Sequence, residues 1–211
     1  QAMSHGLERI KNGSPLSLRL LREIHGMLLS GTRGADKLPG EFRRSQNWLD
    51  GTRPGNALFV PPTPEQMLEC LSDLEKFIHH SPLPVLIKAG LAHVQLQTIH
   101  PFLEGNGRMS RLLLTLLLSS GNLLEQPVLC FSLYLKQHKQ KYYNRLQEVR
   151  TLGSWEALLE FFLDGMTTSA EHATQTINEI TTLFAADTTL IETLGRVRFS
   201  SLHVFDFLKK L

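Results

Sequence analysis

The stretch His100-Pro101-Phe102-Leu103-Glu104-Gly105-Asn106-Gly107-Arg108-Met109-Ser110-Arg111 runs without a break into Leu112-Leu113-Leu114-Thr115-Leu116-Leu117-Leu118. The leucine-rich half is apolar all round, so a helix over Gly105–Ser120 is expected to be central and fully buried. Such a helix presents its N-terminus as a fixed cluster of N–H groups without intrahelical partners. Here that end is preceded by Gly105-Asn106-Gly107, and glycine lets backbone amides turn toward a closely approaching ligand. The pattern is that of an anion nest at a helix N-terminus.

Arg108 and Arg111 lie three residues apart, on one face of the first turn. Cations are disfavoured there by the helix dipole, so two of them make sense if an anion bridges them. Guanidinium forks match phosphate oxygens. Met109 and Ser110 lie between them and are grouped with the phosphate-binding set. Glu104 next to phosphate oxygens would be repelled unless a cation intervenes, and Mg²⁺ commonly uses one or two carboxylates plus substrate phosphates. His100 titrates near neutrality and stands at the edge of the same loop, where it can take a proton from an incoming hydroxyl. Together these residues describe a phosphoryl or nucleotidyl transfer site. The residue pattern alone also admits a plain helix-entry loop whose charges are solvated.

Outward from this stretch the chain reads as helices. Apolar residues at Leu18, Leu21, Ile24 and Leu28 predict an amphipathic helix over Leu16–Leu29, with Pro15 at its start and Gly31 past its end. Thr63 reads as the N-cap of a helix running to about His80, with Pro64 at the first position. Further helices are expected over Pro82–Thr98, Cys130–Thr151, Ser154–Phe184, Thr188–Leu194 and Ser201–Leu211. Between the first two, Ser45–Pro62 places Trp48, Phe59 and Val60 around Asp50-Gly51 and Pro54-Gly55-Asn56, which predicts a small β-hairpin flap. The expected class is all-α with one hairpin.

The 211 residues are 42% hydrophobic and 20% charged, with a formal net charge of +2. This is ordinary globular composition. The near-neutral balance makes a nucleic-acid partner unlike this chain. The longest apolar block, Leu112–Leu118, is too short to span a bilayer. Cys70 and Cys130 read as buried thiols in a reducing compartment, and a cytoplasmic location is expected.

The string His100–Arg111 closely resembles the Fic (filamentation induced by cAMP) family, whose pattern His-Pro-Phe-x-Asp/Glu-Gly-Asn-Gly-Arg-x-x-Arg it matches at every fixed position. Leu20–Leu29, Gly34–Trp48, Phe59-Val60-Pro61-Pro62 and Lys141–Leu146 are similar to its bacterial stand-alone branch. The resemblance covers about residues 15–165. It implies a Fic-type helical bundle over 1–186, with 187–211 as the start of a truncated winged-helix module. It also implies a protein adenylyltransferase moving AMP from Mg-ATP to a Tyr, Thr or Ser hydroxyl of a target protein, self-modification included. His100 would be the general base and Glu104 the Mg²⁺ carboxylate. Gly105, Asn106 and Gly107 would cradle the phosphates, with Asn106 near the α-phosphate, Arg108 on the β- and Arg111 on the γ-phosphate. Phe102 would anchor the loop by packing. Phe59, Val60 and Pro61 would form the edge that aligns a target segment, and Tyr142 and Tyr143 would line the adenosine pocket. A homodimer is compatible with the family.

Many members carry an inhibitory helix, Ser/Thr-x-x-x-Glu-Gly/Asn. Ser4-x-x-x-Glu8 has its spacing, but Arg9 follows the Glu and the segment lies too close to Leu20, so it reads as a chance match. The chain is therefore expected to be a core without its inhibitory element. His79, His80 and His93 match no common zinc spacing. Arg43 and Arg44 read equally as ligand-facing or as a plain ion pair. UMP transfer, or a non-catalytic nucleotide-binding regulatory module, remains the alternative, and a binder alone has no need of His100.

Overall fold

Leu18–Leu29 (α2) is helical because Ser17, in extended conformation, accepts a hydrogen bond from the Leu20 N–H and caps the first turn. Its stripe Leu20, Leu21, Ile24 and Leu29 is buried, and a histidine, His25, is buried among them. Pro64–His80 (α3) opens on a complete capping box: Thr63 Oγ1 accepts from the Gln66 N–H while Gln66 Oε1 accepts from the Thr63 N–H. An additional helix, Ala2–Lys11 (α1), precedes both and packs on α2. The computed structural model describes residues 1–126 and 128–209.

Val85–Ile99 (α4) and Asn106–Ser120 (α5) pack on each other most extensively. α4 buries Ala89, Ala92, Val94, Leu96 and Ile99, and α5 buries Met109, Leu112–Leu114 and Leu116–Leu118. Each leucine so enclosed contributes roughly 1.5–3 kcal/mol of transfer free energy. α3 and α1 cover the pair from outside. Ser4 and Glu8 lie on α1, and Glu8 lines a cavity with Ser119, Ser120 and Asn122 at the C-terminal end of α5. That end is about 12 Å along the axis from Arg111.

The expected hairpin is reduced, among the described residues, to one antiparallel bridge between Leu49 and Phe59. Pro61 and Pro62 follow the bridge and have no N–H with which to extend a ladder. The connection instead closes through a 3₁₀ turn, Pro54–Asn56, whose Asn56 Oδ1 accepts from the Thr52 and Arg53 N–H groups. Gly51 has φ +76, and a Cβ there would stand 2.4 Å from the Asn56 carbonyl oxygen, so only glycine fits this turn.

The single helix expected over Cys130–Thr151 is two, Phe131–Gln137 (α6) and Lys139–Leu152 (α7). They part at His138, whose ring folds back to bond the Tyr134 carbonyl and pack on the Tyr134 ring at 4.2 Å. Cys130 caps α6 and is exposed, and Cys70 is half-buried, so neither is the enclosed thiol expected. The two helices expected over Ser154–Phe184 and Thr188–Leu194 are one, Trp155–Glu192 (α8). No proline or glycine interrupts it after Gly165, and the hydroxyls of Thr181, Thr182, Thr188 and Thr189 bond carbonyls four residues back instead of breaking it.

The chain divides into two compact units, Gln1–Gly165 and Met166–Leu211, whereas the expectation drawn from resemblance set a boundary at 186/187. The second contains the later part of α8, a 3₁₀ turn at Gly195–Val197 and Arg198–Leu208 (α9), with Phe184 edge-on to Phe205 at 5.8 Å. The expected end of α9 at Leu211 lies outside the described residues. Among those residues no helix is long and apolar enough to cross a membrane.

Glycine in a helix interior is normally worse than alanine by about 1 kcal/mol. At Gly90 the order should reverse, because a Cβ would stand 2.8 Å from Phe162 Cδ1 and 2.9 Å from Phe162 Cε1. Gly90→Ala is expected to destabilise the fold by about 1–3 kcal/mol in urea unfolding, the range for overpacking; a stabilised variant would show that α4 and α8 separate at no cost.

Candidate active site

The loop between α4 and α5 is built from the backbone outward. His100 ends α4 in the left-handed region, φ 51 and ψ 57, a conformation costly for a residue with a side chain. Its carbonyl accepts from Arg43 Nε at 2.9 Å, and the next carbonyl, of Pro101, accepts from the Arg43 N–H at 2.9 Å. Arg43 is 2% exposed, and its remaining nitrogens donate to the carbonyls of Ser45 and Pro62. It is buried rather than open to a ligand, and among the described residues it is not half of an ion pair. It is an internal strut that ties the histidine to both ends of the flap.

Phe102 is fully buried and lies flat on the His25 ring, with centroids 3.7 Å apart. Asn106 closes the loop from the other side: Oδ1 accepts from the Phe102 N–H at 2.9 Å and Nδ2 donates to the Phe102 carbonyl at 2.7 Å. Its side chain is thereby committed to the loop, so only its backbone N–H is left for an anion. Gly105 has φ +85 and starts α5 without a capping side chain. Met109 N–H bonds the Gly105 carbonyl, which leaves the N–H groups of Asn106, Gly107 and Arg108 without intrahelical partners. Met109 and Ser110, grouped by sequence with the phosphate set, turn their side chains into the core; Ser110 Oγ donates to the Gly107 carbonyl. Position four and five of a buried helix face its neighbours, not the open end.

Glu104 is held from two directions. His25 Nε2 lies 3.0 Å from its carbonyl, and Gly34 approaches so closely that a Cβ there would be 2.6 Å from Glu104 Cγ. The carboxylate lies 3.8 Å from Arg108 Nη2 and is partly exposed. Arg108 also donates to the Arg33 carbonyl at 3.2 Å and to Thr32 Oγ1 at 3.5 Å. Arg111 has no ion pair or hydrogen bond from its guanidinium among the described residues, although its Nη1 comes within 3.5 Å of a Cβ built on Gly107. The two arginines thus differ: one is held by the loop before the flap, the other is uncommitted.

Of the two tyrosines, Tyr142 is buried, with its hydroxyl 2.9 Å from His93 Nε2 and 3.4 Å from Gln97 Nε2. It is a core residue behind the loop, and Tyr143 is exposed beside Lys139. Helical spacing hid this difference, since neighbouring positions on α7 face opposite surroundings. In the flap, Phe59 packs under the Arg150 guanidinium at 3.9 Å, Val60 is 41% exposed, and Pro61 is buried with its carbonyl accepting from Gln46 Nε2. Sequence reasoning missed His25, the strut role of Arg43, and Arg150. His25 had a signal, a histidine inside an apolar stripe; the other two had none.

Hydrogen bonds fix the histidine tautomers. Gly40 N–H can only donate, so His25 Nδ1 accepts and Nε2–H donates to the Glu104 carbonyl. Burial lowers the His25 pKa, and the nearby Arg108 charge acts in the same direction. His100 Nδ1 donates to the Gln97 carbonyl at 3.3 Å, which leaves Nε2 as the basic nitrogen. Burial pushes the His100 pKa down to about 4; the Gln97 bond opposes the shift, and the Arg150 and Arg43 charges add to it. His100 is therefore neutral and able to accept a proton throughout the neutral range. No cluster of three or more His, Cys, Asp or Glu suited to a metal occurs among the described residues. A cation held by Glu104 would need its other ligands from substrate and water, which is the ordinary habit of Mg²⁺.

Burial also pushes His93 down to about 4. The unfolded chain takes up a proton near pH 6.5 while the folded chain does not, so this stability is fully present above pH 6.5 and is lost as pH falls toward 4. His93 alone is expected to cost about 2 kcal/mol between pH 7 and pH 5. Urea midpoints at the two pH values should show the loss, and His93→Gln should reduce it by His93's share of about 2 kcal/mol while His100, also lowered by burial, keeps its own; an undiminished loss in the variant would refute the assignment.

Residues 15–118 match the Fic/DOC family. The protein adenylyltransferase Fic of Aedes aegypti is 35% identical over 154 residues, 71% of this chain and 27% of that one. Its counterpart in Drosophila yakuba is 39% identical over 136 residues, 63% of this chain and 24% of that one. The chain thus spans about a quarter of the length of the curated relatives it matches. A crystal structure of a Fic family protein from Desulfovibrio desulfuricans G20 superposes with a TM-score of 0.70 at 23% identity, over 90% of this chain and 56% of that one, and shares the fold. With the sequence match running from α2 into α5 and taking in the loop between α4 and α5, and with the fold shared beyond it, this chain belongs to the Fic/DOC family.

Proposed function

We propose that this chain is the catalytic core of a protein adenylyltransferase that moves AMP from Mg-ATP to a hydroxyl of a target protein. One observation carries the reading: a neutral histidine with a free Nε2 shares a loop with an open helix N-terminus and an uncommitted arginine. The relatives named adenylyltransferase support the nucleotide, ATP. The nest of Asn106, Gly107 and Arg108 amides fits polyphosphate oxygens, with Arg108 and Arg111 neutralising the terminal phosphates. Glu104, partly exposed and fixed by Gly34 and His25, would hold Mg²⁺ with the phosphates. That ion would supply charge neutralisation on the polyphosphate.

In the proposed reaction the acceptor hydroxyl, Tyr, Thr or Ser, attacks the α-phosphorus. Its proton passes to His100 Nε2, the new O–P bond forms, the bond to the β-phosphate breaks, and pyrophosphate leaves. The Nδ1–H bond to the Gln97 carbonyl keeps Nε2 as the accepting atom and strengthens as the ring gains charge. The strut through Arg43 fixes the carbonyl of the same residue, so the ring pivots little.

The test is intact-mass and gel analysis of a soluble protein extract incubated with this chain, Mg-ATP and α-labelled ATP. Transfer of AMP to protein, to itself or to others, with release of pyrophosphate is expected. His100→Ala should lower transfer by about 10²–10⁴-fold, the usual weight of a general base, while ATP affinity stays within a few-fold. ATP binding with no transfer in the parent chain would make it a nucleotide-binding module, and transfer from UTP in preference to ATP would change the nucleotide.

A further inference from the structure

Arg150 on α7 is a cation without a counter-ion among the described residues. No carboxylate lies within ion-pair distance among the described residues, and its Nε is buried without a hydrogen-bond partner. What it does touch is the flap: the guanidinium covers the Phe59 ring at 3.9 Å to the centroid. One turn earlier, Gln147 Nε2 donates to the Leu58 carbonyl at 3.4 Å. Both contacts come from one face of α7, and both fall on the two flap residues nearest the single β-bridge. A two-stranded element is marginal alone, and this one has a single bridge, so its position needs outside support.

The support has a chemical consequence. The Leu58 carbonyl is taken by Gln147, the Phe59 carbonyl by the Leu49 N–H, the Pro61 carbonyl by Gln46 and the Pro62 carbonyl by Arg43. The Leu58 and Phe59 N–H groups both point to the Leu49 carbonyl, and the prolines have none. Over 58–62 this leaves Val60, exposed, as the residue whose N–H and C=O are both uncommitted among the described residues. In an antiparallel pair, one residue exchanges both its bonds with one residue opposite.

We propose that Arg150 and Gln147 are positioning residues: they clamp the flap to α7 and so hold Val60, whose backbone pair is the uncommitted one over 58–62, in register for an extended acceptor segment beside His100. This rests on the reading given above, transfer to a protein hydroxyl. Proximity of the Arg150 charge to His100, which lowers the histidine pKa, places the clamp beside the chemistry. A one-residue slip of the flap would carry the docking pair, and with it the acceptor hydroxyl, away from Nε2.

Hydrogen exchange tests the clamp without catalysis. Arg150→Met and, on the other side of the contact, Phe59→Leu are compared with the parent chain. Both should speed exchange at the Leu49, Leu58 and Phe59 amides at least fivefold, with α5 amides unchanged as the control for folding. In the transfer assay with α-labelled ATP and a soluble protein extract, both should lose at least tenfold of transfer at an ATP Kd within twofold of the parent. Arg150→Lys, which keeps a cation over the ring, should recover part of the loss. Unchanged flap exchange in both variants overturns the clamp, and faster exchange with undiminished transfer overturns its positioning role. Absence of transfer in the parent chain refutes the transferase reading instead, and the exchange data then decide the clamp by themselves.

Discussion

One buried guanidinium organises the site. Arg43 is almost wholly enclosed, without a carboxylate partner among the described residues, and its nitrogens are spent on the carbonyls of His100, Ser45 and Pro62. A cation in such surroundings is expensive unless every donor is satisfied, and burial lowers its pKa accordingly. Carbonyl dipoles supply that satisfaction. In return, three segments far apart in sequence are fixed to one rigid fork: the end of α4, the start of the flap and its end. The left-handed conformation of His100 is held in part by this contact, because its carbonyl is aimed at Arg43 Nε.

A second layer of pre-organisation stands behind the loop. His25 stacks on Phe102, accepts from Gly40 and donates to Glu104, so it locks the acidic residue and the aromatic anchor together. Asn106 does the same for Phe102 from the α5 side. These bonds use groups that sequence reading assigns to ligand contact. What they leave open is backbone: the first N–H groups of α5. The positions of these N–H groups are set by the loop itself; in the proposed transfer such a pre-formed nest would lower reorganisation.

The helices were largely legible because their signals are local. Ser17 and Thr63 cap where a short polar side chain must, and the apolar spacing of α2 and α3 matches their buried faces. The errors have equally local causes. The gap expected at 185–187 is absent because Ala185, Ala186 and Asp187 carry no helix breaker, and the Thr188 and Thr189 hydroxyls bond carbonyls of the preceding turn and leave the helix intact. The break at His138 depends on a ring folding onto Tyr134, which no spacing rule registers. The turn signals at Asp50-Gly51 and Pro54-Gly55-Asn56 yield one bridge and no longer ladder, because Pro61 and Pro62 lack the N–H groups to extend it.

For the candidate site, the sequence by itself determined the string His100–Arg111, since a helix N-terminus, its glycines and its arginines are contiguous in the chain. It also determined that the following helix would be buried, because six leucines interrupted only by Thr115 have nowhere else to go. Only the tertiary structure decided which of those side chains face a ligand. Asn106, Ser110 and Tyr142 are committed inward by partners 4 to 49 residues away or by their own helix. It likewise decided that Arg43, His25 and Arg150 belong to the site, because their partners lie on other segments and a hydrogen bond across 57 or 79 residues leaves no trace in local pattern.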